Sequence, residues 1–344
     1  MRRSGGPSRI YVIAEAGVNH NGSVETAIAL VRAASRAGAN AVKFQAFRAE
    51  ALASPRAPKA EYQSRESGAD QSQLEMLRDL EFGEAEHQAV IEVGRELGIE
   101  VLSSAFDCDS LAMLVRLGVP VLKVPSGEIT NLPYLRATAV AAAGRARKVI
   151  VSTGMAALTE VVAAFRVLED GGVAREDITL LHCTTEYPAP PEDVNLLAMV
   201  TLRESFGVAV GYSDHTEGIA VPTAAAALGA AVIEKHLTLD RRLPGPDHRA
   251  SLEPPQFGAM VDAIRAIESA LGDGIKKPTP MELVNRVVVR KSIVASKAIV
   301  AGERFCRDNI TTRRPATGIS PMRWDEVVGA AAPHDFEPDD EVEL

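Results

Sequence analysis

The sequence predicts an α/β protein, a (β/α)8 TIM barrel followed by a small β-rich domain. Eight short runs of β-branched and apolar residues recur along the chain, with longer segments of helical period between them. Eight such units close a barrel, whose usual size is about 250 residues. A stretch rich in Gly, Pro and Lys then precedes further strand-like sequence. The eight predicted strands are residues 10–16, 41–47, 100–106, 121–126, 148–153, 178–184, 208–213 and 231–236.

The segments between these strands carry helix start and stop signals. Ser23, Asp109 and Glu217 stand where a first helical turn prefers polar or acidic groups. Glycine follows the last apolar turn of several segments, as at a C-cap. The predicted helices include residues 23–37, 83–97, 109–117, 158–168, 217–228 and 255–271, and the capping glycines are Gly38, Gly98, Gly118 and Gly229.

The C-terminal region is predicted to be a separate domain. The sequence GDGIKKPTP at 272–280 has the composition of a linker, so we divide the chain into a barrel at 1–272, a linker at 273–284 and a small domain at 285–344. In this domain RVVVRKSIVAS and KAIVAGERF are strand-like, and RRPATGISP has turn chemistry. A stretch of about 60 residues buries a modest core, so we expect it to lean on the barrel or on a partner subunit.

The overall composition excludes several classes of protein. A net charge of −9 argues against nucleic acid as a partner, since phosphate contacts need clustered Lys and Arg. The cysteines Cys108, Cys183 and Cys306 have no disulfide or metal-site spacing and are interpreted as ordinary buried or semi-buried thiols in a reducing compartment. No stretch reaches the ~18 apolar residues of a membrane span. We therefore predict a cytoplasmic protein.

Polar residues cluster where the predicted strands end. The carboxyl ends of barrel strands form the active-site face, so these side chains are expected to converge on one mouth. They are Glu15, Lys43, Gln45, Ser103, Ser104, Lys123, Ser126, Ser152, His182, Thr185, Ser213, His215, Glu234 and His236.

His215 and His236 form the strongest candidate metal site. They end the seventh and eighth strands, which are neighbours in a barrel. Two imidazoles with open positions suit Mn²⁺, Co²⁺ or Zn²⁺ better than Mg²⁺. Glu15 follows the first strand and would adjoin the eighth when the barrel closes. The alternatives are two hydrogen-bonded histidines in a wet mouth and a glutamate that anchors a loop.

Lys43 and Lys123 are candidate anion-binding groups. In AVKFQAF, Lys43 and Gln45 share one face, which is the interior if Phe44 points outward. A buried lysine must be neutral or paired, and two of them near several serines describe a pocket for phosphate and carboxylate. A Schiff-base lysine, as in pyruvate aldolases, is the competing interpretation.

Three loop residues are candidates for reading sugar hydroxyls. Glu128 lies in PSGE, Tyr187 in HCTTEYP and Asp247 in GPDH, each in a loop after a strand. Carboxylates and a phenol suit hydroxyl recognition, whereas a solvated loop position is the ordinary alternative for each of them.

Collinear motifs along nearly the whole chain resemble the sialic acid synthase family, which carries a C-terminal antifreeze-like (SAF) domain. No single motif is specific, but their shared order is. The motifs are AEAGVNHNG, AVKFQ, APKAEYQ, LKVPSGE, VSTGM, HCTTEYP, GYSDHT, IEKHLTLD and GPDH, followed by RKSIVA and RRPATGISP in the tail.

This resemblance implies a reaction. Family members condense phosphoenolpyruvate with an N-acetylated hexosamine and water, which gives a nine-carbon 2-keto acid and phosphate. By resemblance, His215 and His236 hold a divalent metal, most often Mn²⁺, with Co²⁺ or Mg²⁺ as alternatives. The implied catalytic residues are Glu15, Lys43, Lys123 and Glu128, and the implied substrate-binding residues are Gln45, Ser104, Phe106, Ser126, Ser152, Thr185, Tyr187, Ser213, Asp247 and Arg314.

The resemblance also implies an assembly. Arg314 matches an arginine that reaches from the antifreeze-like domain into the partner subunit's site and touches the N-acetyl group, so a domain-swapped homodimer is expected. Thr185 stands where some members have Asn, and Ala316 stands where Gly often follows the Arg-Pro pair.

These departures bear on the sugar. The main hypothesis is an N-acetylneuraminate synthase that uses N-acetylmannosamine. The alternative is a legionaminic acid synthase that uses 2,4-diacetamido-2,4,6-trideoxymannose. A Schiff-base pyruvate lyase and a non-catalytic sugar-binding module are the hypotheses from other classes.

Overall fold

A computed structural model describes residues 9–59, 72–144 and 147–344. Residues 60–63 of the motif APKAEYQ and residues 1–8 lie outside this part of the chain. Two compact units divide the chain, one at residues 1–272 and one at 273–344.

The first unit contains a closed barrel of eight parallel strands in sequence order, which confirms the predicted fold class. Each strand pairs with the next, and β8 pairs with β1 to close the barrel. The strands are β1 (Tyr11–Gly17), β2 (Ala41–Ala46), β3 (Glu100–Ala105), β4 (Val121–Val124), β5 (Lys148–Ser152), β6 (Ile178–Cys183), β7 (Ala209–Asp214) and β8 (Val232–His236).

Helices accompany the barrel, and most of them bury their apolar faces on the outer side of the strands. They are α1 (Val24–Arg36), α2 (Ala49–Leu52), α3 (Gln73–Leu80), α4 (Glu84–Leu97), α5 (Cys108–Leu117), α6 (Leu132–Ala143), α7 (Leu158–Asp170), α8 (Ala198–Phe206), α9 (Ala220–Ala227) and α10 (Pro254–Ala270).

One predicted helix start was confirmed to within one residue, and another was wrong. Helix α5 is capped by Asp107, whose side chain accepts a hydrogen bond from Ser110 N, so Asp109 lies inside the first turn. Helix α9 begins at Ala220 because Gly218 adopts a left-handed conformation, with φ of +75°, and Glu217 precedes it. The predicted cap at Ser23 is correct, since its side chain accepts from Thr26 N.

The second unit combines helix α11 (Pro280–Val289), strands β9 (Ser292–Ala295) and β10 (Ile310–Arg313), and the short helix α12 (Trp324–Val327). The strands pair antiparallel. A separate apolar core holds this unit together, with Ile293, Phe305 and Phe336 among its buried members.

Strand predictions in the second unit were only partly correct. Helix α11 occupies the end of the predicted linker and the start of RVVVRKSIVAS. Thr279 and Glu282 form a capping box around Pro280, and this start signal prevails over the β-branched run that follows. The segment KAIVAGERF forms isolated bridges from Ile299 and Arg304.

The barrel interior is layered because strand side chains alternate between two faces. One apolar layer includes Ile13, Leu102 and Leu181. Two residues further along each strand, toward its carboxyl end, the side chains become mostly polar. We call this second set the polar layer, and its members are Glu15, Lys43, Ser104, Lys123, Ser152, Cys183, Ser213 and Glu234.

Candidate active site

The polar layer is a buried network to which each strand contributes one side chain. Its eight residues are all at most 5% exposed. Phe44 packs in the core between strands and helices, so its neighbours Lys43 and Gln45 face the other way, into the barrel.

Glu234 links the two buried lysines. Its Oε1 lies 3.4 Å from Nζ of Lys123 and 3.6 Å from Nζ of Lys43. Ser213 Oγ donates a hydrogen bond to the same oxygen at 3.0 Å. Glu234 Oε2 has no hydrogen-bond partner within the described residues. One carboxylate therefore balances charge on both ammonium groups.

Each lysine also contacts a serine hydroxyl. Lys43 Nζ donates to Ser104 Oγ at 2.9 Å and lies 2.6 Å from Glu15 Oε2. Lys123 Nζ donates to Ser152 Oγ at 2.8 Å. Ammonium and hydroxyl donors thus converge inside the barrel, which is the donor set that phosphate and carboxylate groups need.

Burial and neighbouring charges give the two glutamates very different pKa values. Burial raises the pKa of the Glu15 carboxyl to about 7, although Lys43 opposes this change. Burial acts the same way on Glu234, but Lys123 and Lys43 outweigh it and lower its pKa to about 2. Near neutral pH Glu234 is therefore ionised, while Glu15 is poised to hold or release a proton.

The pKa values of the two buried lysines also shift in opposite directions. Burial alone would lower the pKa of Lys43, yet Glu15 and Glu234 together hold it above its ordinary value. Burial lowers the pKa of Lys123, and the attraction of Glu234 does not fully compensate. Lys43 is thus a fixed cation, whereas Lys123 gives up its proton more easily than an exposed lysine.

His215 and His236 lie side by side at the carboxyl ends of β7 and β8, as predicted, with ring centroids 5.4 Å apart. The Tyr187 ring packs on His215 with a centroid distance of 4.1 Å. Burial lowers the pKa of His215 to about 4 and that of His236 well below its ordinary value. Both rings are therefore neutral near neutral pH.

The nitrogen atoms of this histidine pair fit metal ligation. His215 Nδ1 bonds the Thr184 carbonyl oxygen, which can only accept, so Nδ1 carries the proton and Nε2 keeps its lone pair. His236 Nδ1 is buried without a hydrogen-bond partner among the described atoms, and Asp247 Oδ2 lies 3.9 Å from it. No cluster of three or more His, Cys, Asp and Glu with metal-site geometry occurs in the described ranges.

Glu15, Gln45 and Asp247 converge on Gly17 beside these histidines. A Cβ atom added to Gly17 would lie 3.3 to 3.4 Å from Glu15 Oε1, Gln45 Nε2 and Asp247 Oδ2. Burial raises the pKa of Asp247 to about 6. Glu15 is the register partner of His236, as barrel closure requires, and its carboxylate is bound by Lys43.

Gly154 is a second glycine at the mouth that neighbouring side chains approach closely. Its N–H donates to Ser126 Oγ at 3.0 Å, and that oxygen lies 3.2 Å from Cys183 Sγ. Thr185 Cγ2 would be only 2.6 Å from a Cβ on Gly154. The site therefore uses a backbone N–H where a side chain would not fit.

Three predicted site residues, Glu128, Phe106 and Arg314, belong neither to the polar layer nor to the groups that converge on Gly17. Glu128 accepts a hydrogen bond from Asn131 Nδ2, and burial raises its pKa. Phe106 packs edge-on against Phe47. Arg314 is exposed in the second unit.

Two residues expected at the mouth point elsewhere. Ser103 bonds His87 Nε2 of α4 at 3.1 Å, because it alternates with Ser104 and faces the helices. His182 Nε2 donates to the Val194 carbonyl oxygen at 2.6 Å, again on the outer side of its strand. Of the cysteines, Cys183 is buried as predicted, whereas Cys108 and Cys306 are exposed.

Glu234 was predicted only to lie among the polar residues of the mouth, and Cys183 was predicted to be an ordinary thiol, but both belong to the polar layer. The signal for Glu234 was its position two residues before His236 in IEKH, which places both side chains on one face of β8. Cys183 Sγ and Thr185 Cγ2 both approach Gly154, so both side chains face the mouth.

Within the described ranges, no helix combines the length and the apolar character needed to cross a membrane.

Similarity to known proteins covers both units. The sequence model of the NeuB family matches residues 30–276, and that of the SAF domain matches residues 290–341. An N,N'-diacetyllegionaminic acid synthase of Campylobacter jejuni is 49% identical over 96% of this chain and 98% of its own length. The enzyme of that name from Legionella pneumophila is 46% identical over 96% of this chain and 92% of its own.

A solved structure agrees with these matches. The N-acetylneuraminic acid synthetase of Leptospira borgpetersenii superposes with a TM-score of 0.71 at 33% identity, over 82% of this chain and 91% of its own. These matches, the closed barrel and the second unit give the same answer: the chain belongs to the NeuB family, the sialic acid synthases that carry a C-terminal SAF domain.

Proposed function

We propose that the chain condenses phosphoenolpyruvate with 2,4-diacetamido-2,4,6-trideoxymannose and water, giving N,N'-diacetyllegionaminic acid and phosphate. The observation that carries the reaction is the pair of buried lysines, each bonded to a serine, within one layer of the barrel. The two curated relatives described above favour this sugar over the N-acetylmannosamine of the main sequence hypothesis.

The charge of the polar layer suits phosphoenolpyruvate. Lys43 and Lys123 are the cations for its phosphate and carboxylate. Ser104 and Ser152, whose oxygens accept from these lysines, supply hydroxyl donors. Ser126, whose Oγ accepts from the Gly154 N–H, extends this donor set toward the mouth. Fixed donors of this kind position the ligand and stabilise the charge that develops on it.

The reaction forms a carbon–carbon bond. C3 of phosphoenolpyruvate attacks the open-chain sugar aldehyde, whose oxygen takes up a proton, and a cationic centre develops at C2. Water adds to that carbon and loses a proton, which leaves a hydroxyl on C2. The C–O bond to phosphate then breaks, its electron pair leaves with phosphate, and the C2 hydroxyl loses its proton to become the ketone. Glu15, with a pKa of about 7, is placed to exchange a proton near the aldehyde.

A divalent metal, Mn²⁺ in our proposal with Co²⁺ or Mg²⁺ as alternatives, would be held by His215 Nε2 and His236 Nδ1, with Asp247 nearby. Bound there, a metal would polarise the sugar aldehyde. Neutral imidazoles and a ring nitrogen without a hydrogen-bond partner support this assignment.

The sugar is proposed to lie over Gly17, where Gln45 and Asp247 converge with Glu15. Tyr187, Phe106 and Thr185 would line its outer side, and Glu128 its entrance. We also propose that Arg314 completes this site from the partner subunit of a homodimer. Mixing an Arg314→Ala chain with a Lys123→Met chain tests this, because a swapped dimer restores one intact site and some activity.

The principal experiment measures phosphate released from phosphoenolpyruvate with each sugar. We expect turnover with the diacetamido sugar at a kcat/KM at least about tenfold above that with N-acetylmannosamine, and loss of turnover on chelation that Mn²⁺ restores. Turnover that survives complete chelation would contradict the metal assignment. A preference for N-acetylmannosamine would contradict the proposed sugar and support the N-acetylneuraminate synthase hypothesis instead.

A Schiff-base lyase is the second candidate, since burial lowers the pKa of Lys123 and a nucleophilic amine must be neutral. Borohydride reduction in the presence of pyruvate would then add a covalent label to Lys123 or Lys43. We expect no label, because both amines are engaged with carboxylate and hydroxyl groups.

A further inference from the structure

A buried ion pair lies directly behind the two histidines. Lys235 Nζ is 2.6 Å from Asp214 Oδ2, and both side chains are 0% exposed. The two residues are register partners on β7 and β8. Asp214 immediately precedes His215 and Lys235 immediately precedes His236. The ion pair thus joins the two strands one residue before each histidine.

Side-chain alternation places this pair outside the reaction site. Glu234 faces the barrel interior, where it contacts Lys43 and Lys123, so Lys235 faces the surrounding helices. The same holds for Asp214, which follows Ser213 of the polar layer. Asp214 and Lys235 therefore act on a ligand at the mouth only through the residues that they hold.

The network also closes around His215. Asp214 Oδ1 accepts hydrogen bonds from Thr216 N at 3.1 Å and Thr216 Oγ1 at 2.9 Å. Lys235 Nζ donates to the Thr216 carbonyl oxygen. The residues on both sides of His215 are thus tied to one lysine of the neighbouring strand. This arrangement fixes where the His215 backbone lies relative to that of His236.

We propose that Asp214, Lys235 and Thr216 are positioning residues that hold the two imidazoles at the separation a shared divalent cation needs. The inference rests on the metal site of the proposed function. An ion pair buried this fully gives little net stability over apolar side chains of similar volume, because desolvation offsets the attraction. Groups that orient metal ligands, in contrast, change metal affinity by about 10- to 100-fold.

The test compares Mn²⁺ binding by calorimetry, without substrates, in three full-length proteins. These are the native chain, the apolar pair Asp214→Leu with Lys235→Met, and a control pair. The control is Arg265→Met with Glu268→Gln, which removes a mostly buried ion pair beside Ile10, at the opposite end of the strands. Near-ultraviolet circular dichroism checks that each protein is folded.

We expect the apolar pair to weaken Mn²⁺ binding by about 10- to 100-fold while the control binds like the native chain. If the apolar pair does not fold, the isosteric Asp214→Asn takes its place, since its amide accepts from Thr216 but cannot neutralise Lys235.

Native-like Mn²⁺ affinity in the altered protein would overturn the positioning role and leave the proposed reaction intact. An equal loss in the control would also overturn it, because the effect would then be a general loosening of the barrel. A native chain that binds no Mn²⁺ would overturn the metal assignment itself.

Discussion

Replacing Glu234 with glutamine should destabilise the barrel and strengthen its binding of phosphate, because it leaves the positive charge of the polar layer less compensated. Glutamine keeps the shape of the side chain and an oxygen for Ser213, but it removes the charge shared by Lys43 and Lys123. At an effective dielectric constant of about 20, contacts of 3.4 and 3.6 Å each give about 5 kcal/mol of gross attraction. Desolvation offsets most of it.

The net loss of folding stability depends on which ion pairs the two lysines keep. Removing one member of a buried ion pair costs about 3–5 kcal/mol. Lys43 keeps Glu15, so we expect the lower end, about 3 kcal/mol. For a unit of this size that lowers Tm by about 6–12 °C. Because the altered site carries less negative charge, inorganic phosphate should bind it more tightly and restore part of the lost Tm.

Thermal unfolding with and without phosphate measures both effects. The matched control is Glu84→Gln, which removes an exposed carboxylate paired with Arg116 at 2.8 Å and should change stability by less than about 0.5 kcal/mol. A Tm of Glu234→Gln equal to that of the native chain would refute the charge-balancing role of Glu234, and so would a smaller stabilisation by phosphate than the native chain shows.

Three further predictions test separate parts of the molecule. Ser104→Ala should raise KM for phosphoenolpyruvate by about tenfold in a steady-state assay, since one hydrogen bond to a charged group is worth about 1.5–3 kcal/mol. The control is Ser103→Ala, which should leave KM unchanged because Ser103 faces His87. Gly154→Ala should lower kcat/KM and cost about 1–3 kcal/mol in urea unfolding, because its Cβ would lie 2.6 Å from Thr185 Cγ2; a fully active variant would contradict this. Asn309→Ala should destabilise the second unit by about 1–3 kcal/mol, since Asn309 accepts from Cys306 N and donates to the Arg304 carbonyl oxygen. Amide hydrogen exchange should therefore become faster in the second unit and stay unchanged in the barrel.

The barrel could be predicted from sequence because its signals are local and repeated. Each strand is a short apolar run, and the alternation of Lys43, Phe44 and Gln45 indicates the inner face without knowledge of the fold. Adjacent strands in a barrel then bring His215 and His236 together from their positions alone. Ser103 and His182 were misplaced because strand ends were treated as one cluster, without applying this alternation to each of them.

The second unit was harder to predict because two local signals compete there. The run at 287–289 has strong strand propensity, but the capping box at Thr279 nucleates a helix that continues through it. Propensity is a weak signal where a helix has a well-formed N-terminus. A prediction that weighed Thr279, Pro280 and Glu282 together would have found the helix.

The connections of Glu234 could not be predicted, since they depend on closure of the barrel. Lys43 and Lys123 come from β2 and β4, and only the closed cylinder brings both within 3.6 Å of a carboxylate on β8. These contacts also determine how the site is charged before substrate arrives. With Glu234 ionised and Glu15 near its titration point, the two lysines are only partly neutralised, so the layer retains attraction for an anion. A polyanion that binds beside Glu234 would neutralise the charge that the two glutamates leave on Lys43 and Lys123, so the barrel interior would be more fully paired with substrate bound than without it.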